Sequence, residues 1–250
     1  MRYFFAEKTV TPGAKMTLRG SDARHIKKVL RLQPGDGIGL FDGLGVAYTA
    51  RIQNFVPDGI VVEVQSSAPA MTDSPVEIII AQAFLKDKKM DGLARQLTEL
   101  GVAQWMPFFA ERSVPSPDRR RLAGRLERWQ KISREALKQC KRGRLMVIEP
   151  VGTLQDVLLQ ARSCDVKILF WENQPQSLNR LAADPQGAAP EGIFAILGPE
   201  GGFSPAEVEA AVAEGFLTAG LGPRILRAET AAITAAALLQ FLFGDLGKSP

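Results

Sequence analysis

The sequence predicts an α/β protein with two domains, a small β-rich domain over residues 1–70 and a larger domain with a mainly parallel sheet over residues 75–250. Three observations lead to this prediction. Short strand-like runs separated by Gly, Pro and Asp fill the first 66 residues, and residues 67–75 have the composition of a linker. Apolar strand-like runs then alternate with helical patterns, which favours a parallel sheet covered by helices.

Five short β-rich runs make up the N-terminal domain, and their close spacing favours a small β-barrel. A short helix between the second and third runs is predicted to begin at Ser21, whose side chain can cap it. Its inward face is predicted to consist of Ile26, Val29 and Leu30. The five strand runs are Arg2–Ala6, Lys15–Arg19, Ile38–Phe41, Ala47–Phe55 and Gly59–Gln65.

The larger domain begins with the nearly continuous apolar run Val76–Ala83, which is typical of a strand buried on both faces of a parallel sheet. A helix follows, with apolar residues from Met90 to Leu100 at helical spacing and Gly101 at its end. Residues 182–190 have the composition of a loose loop. The other predicted strands are Ala103–Phe109, Leu145–Glu149, Val166–Trp171, Ile193–Leu197 and Phe216–Leu221.

The composition is that of an ordinary globular protein, with 46% hydrophobic and 23% charged residues among 250. We expect neither a membrane span nor a signal peptide, because the apolar runs are too short for either. The two cysteines, Cys140 and Cys164, form no disulfide framework, so the reducing cytoplasm is the expected location. One histidine and two separated cysteines also argue against a transition-metal site.

Basic residues are concentrated in one segment. Residues 119–144 carry eleven basic and two acidic side chains, whereas residues 145–250 carry six and twelve. The segment reads as an amphipathic helix with Leu122, Leu126 and Trp129 on its apolar face, and its basic face is either simply solvated or binds a polyanion. The short N-terminal helix is also basic, and its His25 is either a structural residue or an RNA contact. The candidate RNA contacts from these two regions are Arg24, His25, Lys28, Arg31, Arg134, Lys138 and Arg142, and Arg112 is a further candidate.

Gly198–Pro205 lies between an apolar strand and a helix, and its sequence contains a complete helix-start signal. Ser204 is predicted to cap the helix together with Glu207, while Phe203 and Val208 are spaced as a hydrophobic staple. The glycines before it leave the backbone open to a small molecule, although a plain tight loop would look similar. This is neither a dinucleotide-binding nor a P-loop motif.

Polar loops follow two further strands, at Trp171–Asn173 and at Leu221–Arg224. Ligands of open α/β sheets bind beyond the carboxyl ends of the strands, so the three loops are predicted to converge on one cleft. The second loop leads into Ala231–Phe243, which is apolar almost all the way round and is therefore predicted to be a helix buried on every side.

The paired motifs LGPEGGFS and LGPRILRAETA resemble the SPOUT class of RNA methyltransferases, and within it the RsmE family, which methylates uridine N3 in small-subunit rRNA. Further blocks that carry the resemblance are HIKKVLRLQPGD, LFDG, LTELGV, ERSV and REALKQCKR, so the likeness spans both domains. The resemblance implies a PUA-like RNA-binding β-barrel followed by a SPOUT domain with a deep trefoil knot. It also implies a homodimer paired at the knot, which acts on 16S rRNA in the assembled small ribosomal subunit.

S-adenosylmethionine is the cofactor that the resemblance implies. The positions that match the family's donor site are Phe170, Trp171, Glu172, Leu197, Gly198, Glu200, Gly201, Gly202, Leu221, Gly222, Leu226 and Ala228.

Uracil N3 must lose its proton before it accepts a methyl group, and a nearby cation would stabilise the resulting negative charge. Arg227 is the first candidate for that role, and Arg224 is expected to hold phosphate or a base edge. Glu229 is a candidate base, but it could equally compensate the charge at the helix N-terminus, and Thr230 could cap that helix. Two alternatives stay open: a noncatalytic RNA-binding or ribosome-assembly protein with this fold, and a SPOUT enzyme acting on another RNA.

Overall fold

A computed structural model of the chain describes residues 1–6, 9–70, 72–86, 88–114, 119–173, 178 and 190–248. Its contacts divide the chain into two compact units. Unit 1 comprises Met1–Asp73 and Arg134–Leu145, and unit 2 comprises Ser74–Ser133 and Met146–Pro250. The sequence did not indicate that residues 134–145 return to the N-terminal unit. Nearly all of the predicted loose loop, residues 182–189, lies outside the described residues.

Unit 1 is built on a five-stranded mixed sheet in the order β1-β3-β4-β5-β2. β1 pairs with β3 in parallel, and the other pairs are antiparallel. All five predicted strands are confirmed, and β5 continues into the predicted linker. Their bounds are β1 Tyr3–Phe5, β2 Lys15–Leu18, β3 Gly37–Phe41, β4 Val46–Val56 and β5 Gly59–Pro69.

The helix of unit 1 differs from its prediction. Helix α1 spans Gly20–Arg24 without a side-chain cap, so the capping role given to Ser21 is wrong. The chain continues as a π-helix over His25–Leu30, in which Ile26 is fully buried but Val29 is 65% exposed. A π-helix bonds i to i+5, which changes the spacing of residues along one face and explains why Val29 turns outward.

Unit 2 contains a parallel sheet of seven strands in the order β12-β10-β11-β6-β7-β8, with β9 also paired to β7. Every strand predicted for this unit is found, several of them one or two residues shorter at an end. The strands are β6 Glu77–Ala83, β7 Gln104–Phe109, β8 Val147–Ile148, β9 Gly152–Thr153, β10 Val166–Phe170, β11 Gly192–Leu197 and β12 Leu217–Ala219. The helices are α2 Lys89–Glu99, α3 Arg119–Cys140, α4 Leu154–Gln160, α5 Pro205–Ala213 and α6 Ala228–Leu242.

The sheet of unit 2 is buried on both faces. Ile78 and Ile80 of β6 join a core with α2 and α6, while Ile79 and Ala81 join a second core with α4 and α5. Alternate residues of one strand point to opposite faces, so a continuous apolar run is what such a central strand requires.

Helix α2 ends as the sequence predicted, with Gly101 at a φ of 78° after the last turn. The left-handed conformation at this position favours glycine.

Helix α4 was not predicted, although Thr153 and Asp156 form a capping box at its start. In the described part of the chain, no helix is long and apolar enough to cross a membrane.

The basic helix α3 is fixed to α2 through one carboxylate. Asp91 accepts hydrogen bonds from Arg128 Nε at 2.9 Å and from Trp129 Nε1 at 3.1 Å. Trp129 is fully buried, which confirms the predicted apolar face of the helix around it. Because Trp129 is large and its indole N–H is satisfied, this contact determines which face of α3 turns outward.

Candidate functional site

The three polar loops named above meet in unit 2 because their strands are neighbours. β12, β10 and β11 lie side by side and run in parallel, so their carboxyl ends share one edge of the sheet. The loops that follow them line one cavity of ≈ 500 Å³, which lies in the range of ligand pockets, about 300–1,000 Å³. The predicted convergence on one cleft is confirmed.

Eleven of the twelve positions predicted for the donor line this cavity. The exception is Gly201, whose carbonyl accepts a hydrogen bond from Arg112 Nη1 at 3.2 Å. The residues that line the cavity are Lys89, Phe170, Trp171, Glu172, Leu197, Gly198, Pro199, Glu200, Gly202, Gly220, Leu221, Gly222, Pro223, Arg224, Ile225, Leu226, Arg227, Ala228 and Ala231.

The loop after β11 is held at its far end by the start of α5. Ser204 and Glu207 form the predicted capping box, and Phe203 and Val208 are buried in the same core. Glu207 also accepts a hydrogen bond from the backbone N–H of Glu111 at 2.8 Å, so its carboxylate links the loops that follow β7 and β11. A cap of this kind contributes about 1 kcal/mol, and it restricts the loop in front of the helix.

The near end of the same loop is fixed from β6. Gln82, which is fully buried, donates from Nε2 to the carbonyl of Gly198 at 3.0 Å. Gly202 adopts a φ of 67°, and a Cβ there would press against Glu172 Oε1. Both glycines therefore belong to a tightly defined cavity wall.

The wall after β10 carries a free donor. Trp171 donates its backbone N–H to Ala219 of β12 at 3.0 Å, which joins this loop to the third one. The indole Nε1 of Trp171 is buried, and among the described residues it has no hydrogen-bond partner. A buried N–H without a partner is costly, so a ligand that accepts a hydrogen bond there is favoured.

Arg224 and Arg227 both line the cavity and are exposed. Within the described ranges neither side chain has an ion-pair partner. Arg227 is the residue that precedes α6, so Thr230 lies inside the helix and the capping role suggested for it is wrong. Two unpaired guanidinium groups at a cavity form a site for an anionic or electron-rich group.

Glu229 lies in the first turn of α6 and does not line the cavity. Its Oε2 is 3.1 Å from Lys89 Nζ. This position supports the alternative that Glu229 compensates charge at the helix start, because a base must reach the proton that it removes.

Lys89 is a cavity residue that the sequence analysis missed. Its Nζ lies 3.1 Å from Glu200 Oε1 and 3.1 Å from Glu229 Oε2. The neighbouring carboxylates of Glu200 and Glu229 raise the pKa of Lys89, so it stays protonated at neutral pH. Partial burial acts to raise the pKa of Glu200, but bonds from Lys89 and from backbone N–H groups outweigh it and the pKa is lowered. The available signal was a lysine in the first turn of a helix, where the macrodipole disfavours a cation.

The candidate RNA contacts in unit 1 differ in accessibility. Arg142 is 5% exposed and its Nε lies 3.5 Å from Asp73, while the side chain of Lys138 is 14% exposed and pairs with Asp22 and Glu135. A buried and ion-paired cation is occupied within its own unit, which argues against a phosphate contact by either residue. The candidates of unit 1 that are exposed are Arg24, His25, Lys28, Arg31 and Arg134. Arg112 of unit 2 is exposed as well.

Helix α6 is not buried on every side, so that prediction is wrong for the single chain. One face packs on α2, β6 and β11, but Leu238 and Phe241 are 37% and 62% exposed. Ile225, in the cavity loop before the helix, is 88% exposed. Large apolar side chains exposed on one side of a helix are typical of an interaction surface.

Comparisons with known proteins agree with this geometry. A model of the RNA methyltransferase domain matches residues 72–240, and a model of the RNA methyltransferase PUA domain matches residues 18–64. A ribosomal RNA small subunit methyltransferase E from Neisseria gonorrhoeae, solved bound to S-adenosyl methionine, is 32% identical with a TM-score of 0.87, and the match covers 98% of this chain and 99% of that one. This chain belongs to the ribosomal RNA small subunit methyltransferase E family.

Two further members show how far the family likeness extends. The enzyme of Bacillus subtilis is 29% identical over 96% of each chain. The enzyme of Synechocystis is 30% identical over 92% of this chain and 74% of its own length.

The fold class is confirmed, with a PUA-like N-terminal domain and a parallel α/β domain. The trefoil knot stays a prediction.

Proposed function

We propose that this chain transfers a methyl group from S-adenosylmethionine to RNA of the small ribosomal subunit, at N3 of a uridine in 16S rRNA. The observation that carries the proposal is the cavity at the carboxyl ends of β10, β11 and β12, lined by eleven of the twelve positions expected for the donor. Family membership supports the methyl transfer and the small-subunit rRNA. The choice of uridine N3 follows from the resemblance and from the cationic cavity.

The residues present fit S-adenosylmethionine. Phe170, Leu197 and Leu221 provide apolar wall for an adenine ring, and the buried Nε1 of Trp171 is a free donor for a ring nitrogen. Gly222 has a φ of 101°, and no atom lies within 4 Å of the place where its Cβ would stand. A glycine in that conformation lets a ligand reach the backbone. When bound, S-adenosylmethionine supplies an electrophilic methyl group on a cationic sulfur.

Arg227 is proposed to act on the acceptor base. Its guanidinium lines the cavity and has no ion-pair partner within the described ranges, so its charge is available to a deprotonated uracil imide. Such a fixed cation stabilises negative charge as it develops at N3 and at the neighbouring carbonyl oxygens. Arg224 is proposed to hold a phosphate or a base edge beside it. Because Glu229 does not line the cavity and is paired with Lys89, we assign the N3 proton to solvent.

RNA contact is proposed for exposed basic surfaces of each unit, considered separately. In unit 1 they are Arg24, His25, Lys28, Arg31 and Arg134. In unit 2 they are Arg112 and the outward face of α3, which includes Arg120 and Arg121. Lysine and arginine side chains on such a face bind the phosphate backbone and give salt-dependent affinity.

We also propose a homodimer in which α6 of one copy covers α6 of another. The helix is apolar on two faces, and its own unit buries only one of them. A second copy would bury Leu238 and Phe241, which otherwise remain in water at a cost of roughly 25 cal/mol per Å². An isologous pair is the commonest way for such a surface to be covered.

A methylation assay with purified protein tests the proposal. S-adenosylmethionine labelled in the methyl group is offered with assembled small subunits, free 16S rRNA or tRNA as acceptor. We expect label only in small-subunit rRNA, recovered as N3-methyluridine after nuclease digestion. Label in tRNA would indicate a different RNA substrate, and binding of S-adenosylhomocysteine without any transfer would indicate a noncatalytic RNA-binding protein.

A further inference from the structure

We propose that Lys89 is a positioning residue of the donor site, which holds two walls of the cavity together by joining the carboxylates of Glu200 and Glu229. The proposal rests on the proposed function, because it concerns how this cavity binds S-adenosylmethionine. Glu200 belongs to the loop after β11, and Glu229 belongs to the first turn of α6. The two are separated by 28 residues of chain, and one ammonium lies 3.1 Å from a carboxylate oxygen of each.

The arrangement brings together three elements: α2, the loop after β11 and the start of α6. Glu200 Oε1 accepts from Lys89 Nζ and also from the backbone N–H of Lys86 at 3.2 Å, so the loop after β11 is fixed to the segment that starts α2. Glu229 attaches the start of α6 to the same ammonium. One atom on the edge of the cavity, Lys89 Nζ, therefore joins α2, the loop after β11 and α6.

The position of Lys89 at the N-terminus of α2 supports a positioning role for its side chain. It is the first residue of α2, and the residue before it is also a lysine. A cation at a helix N-terminus opposes the helix macrodipole, and at Lys89 the two carboxylates offset this cost. The side chain of Lys88 is exposed and has no ion-pair partner in the described part of the chain, whereas that of Lys89 is 29% exposed and lies beside two carboxylates.

Removing the ammonium would leave two carboxylates close to the point where it stood. Both lie within 3.1 Å of one nitrogen, so without it they repel each other and the loop after β11 separates from α6. The loop after β11 and the residues that lead into α6 form two sides of the cavity. If the competent arrangement falls to about one tenth of the molecules, the apparent Kd for a donor rises about tenfold.

The experiment compares full-length variants by calorimetry with S-adenosylhomocysteine, together with the thermal midpoint of unfolding. Lys89→Met is expected to raise Kd about tenfold, while the matched control Lys88→Met keeps the wild-type Kd. Lys89→Arg, which keeps the charge and both ion pairs, is expected to stay within about threefold of wild type. Adding Glu229→Gln to Lys89→Met removes the repulsion and should recover part of the lost affinity.

Steady-state kinetics separate positioning from catalysis. Lys89→Met should raise KM for S-adenosylmethionine with little change in kcat, because Lys89 acts through the loops rather than on the reacting atoms. Equal Kd values for Lys89→Met and Lys88→Met in folded protein would overturn the inference, as would an equal loss in Lys89→Arg. Wild-type protein that does not bind S-adenosylhomocysteine would instead overturn the proposed function, so the two failures are distinguishable.

Discussion

The substitution Gly202→Ala tests whether the backbone of the loop after β11 shapes the donor cavity. Gly202 has a φ of 67°, and its missing side chain faces Glu172 Oε1. Displacing that carboxylate is cheap, because Glu172 is exposed and its carboxylate lies at the end of a flexible side chain. The left-handed backbone is the larger effect, since it costs an alanine about 1–2 kcal/mol.

This free energy must appear in one of two measurements. If the loop keeps its conformation, the thermal midpoint falls by about 2–8 °C for a domain of this size. If the loop relaxes instead, the donor must restore the strained conformation on binding, and its Kd rises about 5–30-fold. If the loop relaxes only in part, the same 1–2 kcal/mol is divided between a lower thermal midpoint and a higher Kd.

The assay is differential scanning calorimetry combined with titration of S-adenosylhomocysteine. Gly124→Ala is the matched control, because Gly124 lies inside α3 with no atom within 4 Å of its Cβ position. An alanine there should stabilise the helix by about 0.5–1 kcal/mol and leave Kd unchanged. A Gly202→Ala protein with both the midpoint and Kd of wild type would refute the reasoning about this loop.

Four other expectations follow. Ser204→Ala removes the cap of α5 and should lower stability by about 1 kcal/mol, as read from denaturant unfolding; a Ser204→Thr control should retain most of it. Phe241→Glu should give monomers by light scattering, and a dimer of wild-type strength would contradict the α6 interface. Arg227→Ala should abolish methyl transfer while the dimer and donor binding persist, and full activity would remove Arg227 from the mechanism. The pKa of Glu200 is lowered below its ordinary 4.5. Its stabilising ion pair is therefore fully present above pH 4.5 and is lost only as the pH falls through the lowered pKa. A loss of donor affinity already at pH 6 would contradict this.

The parts of the fold that the sequence predicted well are those with local causes. β6 was predicted because a strand buried on both faces must be apolar at every position, and the start of α5 because Ser204 and Glu207 are three residues apart. The signal for α4 was equally local, at Thr153 and Asp156, and could have been used. Val29 was misplaced because the pattern assumed α-helical spacing in a segment that forms a π-helix.

In the candidate site, too, the features that the sequence predicted are those with local causes. The cavity loops were predictable because adjacent parallel strands bring their carboxyl ends together. Lys89 was not, since its partners lie 111 and 140 residues away and meet it only through the packing of α2 against the sheet and α6. The burial of Arg142 was missed for a related reason, because residues 134–145 read as the end of a solvated basic helix and instead join unit 1.

The most direct measurement of the central claim is mass spectrometry of nucleosides from 16S rRNA of cells with and without this protein. We predict an N3-methyluridine signal that disappears without the protein and returns with the wild-type chain but not with Arg227→Ala. An N3-methyluridine signal that is the same in both cells would contradict the account.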